Sequence, residues 1–200
     1  MADLINALLN VSRLELGTFM VEPQPVNLAE ILKQTVEELR SLIESKKTNL
    51  SFNVPAALSI FNADKVLMGI IIQNLLSNAV KYTAPEGHVT VNVEKIGDRI
   101  RMSVIDDGYG IPENEKNKTF GKLFRASNVI KHDVGGTGLG LYIVKSVIEN
   151  SGGKIWFESK ENQGTAFYIE YPTSGMARKA GSKQLTPELN SDTKASANKV

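Results

Sequence analysis

The 200 residues contain no cysteine. That absence excludes disulfides, thiolate zinc sites and cysteine nucleophiles, and it fits a reducing compartment without proving one. Histidine occurs only at His88 and His132. No sign of charge is in excess: 23 Lys and Arg against 22 Asp and Glu leave a formal net charge of +1, so nothing biases the chain toward nucleic acid. Long apolar runs are also missing. The longest, "VLMGIII" at 66–72, is far too short to cross a bilayer. The first ten residues have no basic stretch and carry Asp3 early, a poor signal peptide. What is present is a hydrophobic fraction of 42%, enough for the core of one soluble domain with extensions.

Periodicity organises the chain. "LINALLNVSRLELG" has apolar residues at Leu4, Leu8 and Val11 with Ile5 and Leu9 beside them, a helix with a wide stripe ending near Gly17. Spacing alone leaves two readings open: an ordinary amphipathic helix, or one member of a bundle with partners outside this chain. The prolines of "TFMVEPQPV" make residues 18–26 an extended connector. Asn27 with Glu30 opens a helix whose stripe runs through Leu28, Ile31, Leu32, Val36, Leu39 and Ile43. "LSFNV" and "SIFN" are short strands, and Asp64 is an N-cap candidate for the next helix. "HVTVNVEK" and "RIRMSVID" alternate as a hairpin, as do "KIWFES" and "GTAFYIEYP". Between them a long polar stretch, about 113–137, reads as a lid, followed by the helix of "LGLYIVKSVIEN". Residues 173–200 are polar and poor in large apolar side chains, and are expected to be disordered. The order of elements gives a mixed α/β layer, one sheet with helices on a face.

Four stretches carry chemistry. In "QNLLSNAVKYT", with Asn74 as origin and about 100° per residue, Asn78, Lys81 and Tyr82 fall on the same face at about 40°, −20° and 80°. This polar line borders the buried face. Buried amides cost free energy unless partnered, so either backbone or a ligand must satisfy Asn74 and Asn78. "VIDDGYGIP" puts Asp106 at a strand end with Gly108 and Gly110 after it. A carboxylate there could accept from an exocyclic amine while the glycines let a flat ring approach; a plain Asp-Gly turn is the simpler alternative. "GGTGLGLYIVK" places Gly135, Gly136, Gly138 and Gly140 before a helix start, where free N–H groups can hold an anion, or merely as a flexible loop. Leu141 stands where a dinucleotide fingerprint needs its third glycine. "KTFGKLFRASN" spaces Phe120 and Phe124 one helical turn apart, beside Lys118, Lys122 and Arg125, which can reach phosphate oxygens.

In that order the four stretches resemble the N, G1, F and G2 boxes of the catalytic and ATP-binding domain of sensor histidine kinases, over roughly residues 27–172. The resemblance implies a two-layer α/β sandwich of the Bergerat type with a mixed sheet, preceded by the end of a dimerisation-hairpin helix at residues 1–17. It implies ATP and Mg²⁺ as cofactors. Asn74 would hold Mg²⁺, Asn78 would support metal and phosphates, Lys81 would reach phosphate and Tyr82 would pack against the base. Asp106 would bind the adenine amine, supported by Thr165, in a base site with Gly108, Gly110 and Ile111. Phe124 and Arg125 of the lid, and Gly136, Thr137, Gly138, Leu139, Gly140 and Leu141, would close around the nucleotide and wrap its phosphates. The implied partners are a dimerisation hairpin bearing the acceptor histidine and a response-regulator receiver domain, with a homodimeric parent kinase. The domain would be cytoplasmic in a parent that can be membrane-anchored.

Related ATP-hydrolysing machines share this fold but usually carry a glutamate where Asn74 stands, as general base for water. An amide cannot take that proton, so the kinase reading ranks above an ATPase and above a nucleotide-binding regulatory module. The family's acceptor histidine lies on a helix followed by an acidic residue and, further on, a proline. His88, in a turn, and His132, in "HDVGG", do not match it. The chain thus resembles the C-terminal part of a sensor kinase, expected to be inactive alone. Asp107 stands where the family often has asparagine.

Overall fold

A computed structural model describes residues 2–58, 60–131 and 135–187. The elements are α1 (Ala2–Glu15), β1 (Gln24–Asn27), α2 (Leu28–Glu38), α3 (Arg40–Lys46), β2 (Asn49–Asn53), β3 (Ile60–Ala63), α4 (Lys65–Tyr82), β4 (His88–Ile96), β5 (Arg99–Asp106), α5 (Ser127–Lys131), α6 (Gly140–Asn150), β6 (Lys154–Ser159) and β7 (Thr165–Pro172). Five strands form a mixed sheet in the order β2-β4-β5-β7-β6, with β2 parallel to β4 and the remaining pairs antiparallel. Alternation sends Val89, Val91 and Val93 of β4, Met102 and Val104 of β5, and Phe167, Ile169 and Tyr171 of β7 into one buried layer. On that layer α4 lies between α2 and α6, giving the expected two-layer sandwich. The opposite face carries a Trp156–Tyr168 stack at 5.2 Å, with Arg101 over the Trp156 ring and paired to Glu170.

Local chemistry explains the starts of the helices. Asn27 Oδ1 accepts from the Ala29 and Glu30 N–H groups as an N-cap, and its side-chain amide donates to the Glu30 carboxylate. Asp64 Oδ1 caps α4 through Val66 and Leu67 while its Oδ2 accepts from Glu22 N–H, so one carboxylate also fastens the connector. α4 is buried nearly all round, from Leu67 to Val80, and forms the centre of the core.

Three expectations differ from the structure. The helix beginning at Leu28 breaks at Leu39, whose φ of −95° and ψ of 2° separate α2 from α3. The connector contains a strand, because β1 finds an antiparallel partner in β3, far along the chain. Residues 173–187 are ordered rather than disordered. Met176 and Leu185 are buried, and the segment bridges Val21 at Lys179 and Phe19 at Lys183. Lys179 donates to the Gly17 and Phe19 carbonyls and sits 4.3 Å from the Phe19 ring centroid. The Asn10 side chain, 1% exposed, exchanges two hydrogen bonds with the Thr186 backbone. Two apolar anchors and one buried amide outweigh a composition that averages as polar. Residues 188–200 of the expected tail, and His132 of the lid, lie outside the described residues.

α1 packs on α6 and buries Ala7, Val11 and Leu14, leaving Leu4, Ile5, Leu8 and Leu9 exposed on its other side. No helix of the described residues is long and apolar enough to cross a membrane.

Candidate functional site

A cleft opens where the C-terminal ends of α4 and β5 meet the lid and the start of α6. It holds about 560 Å³ of space, part of it open to solvent. Of the residues expected to form a site, Asn78, Tyr82, Asp106, Gly110, Ile111, Phe124, Arg125, Leu141 and Thr165 line it. Ala79, Thr119, Ala126, Val129 and Phe167 join them, and their sequence positions carry no comparable signal.

Asp106, 7% exposed, sits at the end of β5 directly across from Thr165 on β7. Its Oδ1 accepts from the Gly108 N–H at 3.0 Å and the Thr165 N–H at 3.3 Å, which leaves Oδ2 for the cleft. Burial pushes the carboxyl up to about 7, against the pull of those two N–H groups and with the help of the nearby Asp107 charge. Gly110 has φ +61°, and its Cα lies so close to the Lys160 carbonyl that a Cβ would collide with it. Asn128 of α5 donates to the Tyr109 and Gly110 carbonyls, and the Asn162 N–H donates to Tyr109, so the loop after Asp106 is held from two sides. Gly108 packs on the Tyr82 carbonyl, which also accepts from the Tyr109 N–H. Lys46 donates to the Val80, Lys81 and Thr83 carbonyls and so fixes the end of α4, an anchor that no local pattern around Lys46 signals. Burial lowers the Lys46 pKa.

The polar line on α4 divides. Asn78 and Tyr82 reach the cleft, and the Arg125 charge acts on the Tyr82 hydroxyl, whose pKa burial raises. Asn74 lies deeper, 7% exposed. Its amide nitrogen donates to the Ile70 carbonyl at 2.9 Å, which turns Oδ1 toward Gly140, where any Cβ would strike it. Lys81 is half-buried and does not line the cleft. Gly136 stands beside the Tyr82 hydroxyl, and Thr137 Oγ1 accepts from the Leu139 N–H. Gly138 has φ +70°, and Leu139 is buried. No side chain among the described residues caps α6, whose first turn at Gly140 leaves main-chain N–H groups for an anion.

In the lid, residues 119–126 are not helical. Phe120 packs edge-on against Phe157 and Phe167 in the core, while Phe124 faces the cleft. Lys122 pairs with Glu15 of α1 and lies over the Tyr142 ring rather than at the cleft. Apolar walls of Ile111, Val129, Leu141 and Phe167 suit a flat ring. Asp106 supplies an acceptor at one end, and the α6 N-terminus with Arg125 suits an anion at the other. Among the described residues lining the cleft Asp106 is the only carboxylate. No group of three or more His, Asp or Glu gathers among the described residues as a metal site.

Residues 63–175 match the family model described as histidine kinase-, DNA gyrase B- and HSP90-like ATPase. The chain is 36% identical over 172 residues to the circadian input-output histidine kinase CikA of Synechococcus elongatus, covering 85% of this chain and 23% of that protein. Among solved structures, the nucleotide-free catalytic domain of histidine kinase ThkA is 31% identical with a TM-score of 0.65, covering 76% of this chain and 96% of that one. ThkA has also been solved in complex with the response regulator protein TrrA. Full-length ShkA in complex with AMPPNP is 28% identical with a TM-score of 0.74, over 89% of this chain and 36% of that one.

Proposed function

The chain belongs to the histidine kinase-, DNA gyrase B- and HSP90-like ATPase family, as an ATP-binding catalytic domain of the histidine kinase kind, and from this we propose that it holds Mg-ATP for transfer of the γ-phosphate to a histidine on a dimerisation hairpin. The observation that carries the reading is the pairing of a buried, half-satisfied Asp106 at one end of the cleft with an uncapped helix start at the other. Asp106 Oδ2 accepts from the adenine amine, and Ile111, Leu141 and Phe167 enclose the ring. Main-chain N–H groups of the glycine-rich loop and the first turn of α6, other than that of Leu139, take the phosphates with Arg125.

Mg²⁺ fits this donor set. With its nitrogen committed to Ile70, Asn74 presents only a neutral oxygen, the ligand type this ion takes, on the side of the glycine-rich loop. When bound, the ion would neutralise charge on the phosphates. Among the described residues, those at the phosphate end orient and neutralise but offer no carboxylate to activate water, so ATP is preserved until an acceptor arrives. α1 then serves as the end of the hairpin helix, residues 18–26 as its connector, and the parent as a homodimer that passes phosphate to a response regulator. Alone, the chain hydrolyses ATP very slowly and does not label itself.

Asn74→Ala tests the metal assignment by calorimetry. Affinity for ATP should fall by about tenfold or more, ~1.4 kcal/mol, with Mg²⁺ present and change little without it. Equal loss in both conditions would leave Asn74 a structural amide held by Ile70.

A further inference from the structure

Asp106, Thr165 and Ser159 form one row across three neighbouring strands. Asp106 is the register partner of Thr165 on β7, and Thr165 that of Ser159 on β6. The row ends the buried face of the sheet where the cleft begins. Ser159 Oγ lies 2.9 Å from the Gly164 carbonyl, 2.9 Å from the Ile111 nitrogen and 3.0 Å from Thr165 Oγ1.

The protons in this cluster can be assigned. A serine hydroxyl has one hydrogen and two lone pairs. The Gly164 carbonyl can only accept, so the Ser159 hydrogen goes there. The Ile111 N–H can only donate, so it takes one lone pair. The contact to Thr165 must then run from the Thr165 hydroxyl to the second lone pair of Ser159. Thr165 has spent its hydrogen on Ser159, and toward the cleft that it lines it can only accept.

We propose that Ser159 is a positioning residue that fixes the proton direction at the base end of the cleft, so that Thr165 and Asp106 meet the ligand as two acceptors selective for an exocyclic amino group. The proposal rests on the nucleotide reading above and names what sets base selectivity within it. Asp106 Oδ1 is occupied by the Gly108 and Thr165 N–H groups, so its Oδ2 is the second acceptor. An amine has two hydrogens to offer such a pair. An exocyclic oxo group at the same position brings a third acceptor against two, and a site whose polar groups go unpartnered rejects the ligand strongly.

The test is the ratio of affinities for ATP and inosine triphosphate, which carries a 6-oxo group in place of the amine. In Ser159→Ala the Thr165 hydroxyl is released and can turn its hydrogen toward the oxo group. Calorimetry on the full chain at pH 8.5, where Asp106 is ionised and can only accept, should show a preference for ATP in the parent. Ser159→Ala should reduce that ratio by about tenfold, through weaker ATP binding and unchanged or tighter inosine triphosphate binding. Ser159→Thr, which keeps the hydroxyl, should restore it. Thr165→Val keeps the Ser159 bonds to Ile111 and Gly164 but removes the acceptor, and should reduce the ratio as well. Equal fold-losses for both nucleotides in Ser159→Ala would make Ser159 only a loop tie and overturn the proposal. So would an unchanged ratio in Thr165→Val, or a parent that binds the two nucleotides alike; in those cases the nucleotide reading survives. A parent that binds neither nucleotide overturns both.

Discussion

Asp106 sets function against stability. Its carboxyl titrates near 7 in the fold against 3.8 unfolded, because burial disfavours its charge. Between those values the folded chain holds a proton that the unfolded chain has released. Stability therefore falls as pH rises through this window, and the cost is fully present above about 7. Asp106→Asn removes the charge and keeps an oxygen for the Gly108 and Thr165 N–H groups. Its thermal midpoint should exceed the parent's at pH 8.5, by an amount corresponding to a few kcal/mol at most. The gain should fade toward pH 4. ATP affinity should drop, since an amide nitrogen would face the adenine amine donor to donor. Identical melting at both pH values would contradict the buried-charge account. The sequence made Asp106 and Thr165 legible because each sits in a motif at a strand end. Ser159 escaped because its role comes from opposing Thr165 across a hairpin, a register no local motif announces. Asn74 and Lys81 share a helix face with Asn78 and Tyr82, but periodicity carries no depth: the fold buries the first and turns the second aside.

At the scale of elements, alternation and caps were the readable signals. Both hairpins, and the α4 start at Asp64, follow from residues within a few positions of one another. What could not be read depends on distant partners. β1 is a strand only because β3 lies beside it, and the kink at Leu39 has neither glycine nor proline to mark it. The segment 173–187 is the clearest case. It clasps α1 and the connector through Leu185, Lys179 and the Asn10–Thr186 pair. A chain ended after Ala177, compared with one ended after Pro187, loses the buried Leu185, about 2–3 kcal/mol, and leaves the Asn10 amide without its partner, at about 1–3 kcal/mol more. Amide exchange in α1 should quicken by orders of magnitude while nucleotide affinity holds. Unchanged exchange in α1 would mean that its packing on α6 alone fixes the helix.

At the scale of the whole molecule, one sheet and three helices bring four separate stretches of sequence around a single cleft. Each stretch read alone had a plain structural alternative, and only their order pointed to a nucleotide. The chain spans 23% of CikA, so the acceptor, the regulator and the input belong to the proposal rather than to this fold. In the proposed reading α1 connects the two: its inner side packs on α6, and its exposed Leu4, Ile5, Leu8 and Leu9 would be the apolar face that a hairpin partner covers. Phosphoryl transfer depends mainly on bringing the acceptor in line with the γ-phosphate, and the acceptor is the part this account assigns elsewhere. The most direct test mixes this chain with γ-labelled Mg-ATP and a matched dimerisation hairpin carrying its histidine. Acid-labile label should appear on the hairpin and none on this chain, and Asn74→Ala should abolish labelling. Acid-stable label on this chain, or rapid ATP hydrolysis without any hairpin, would contradict the kinase reading.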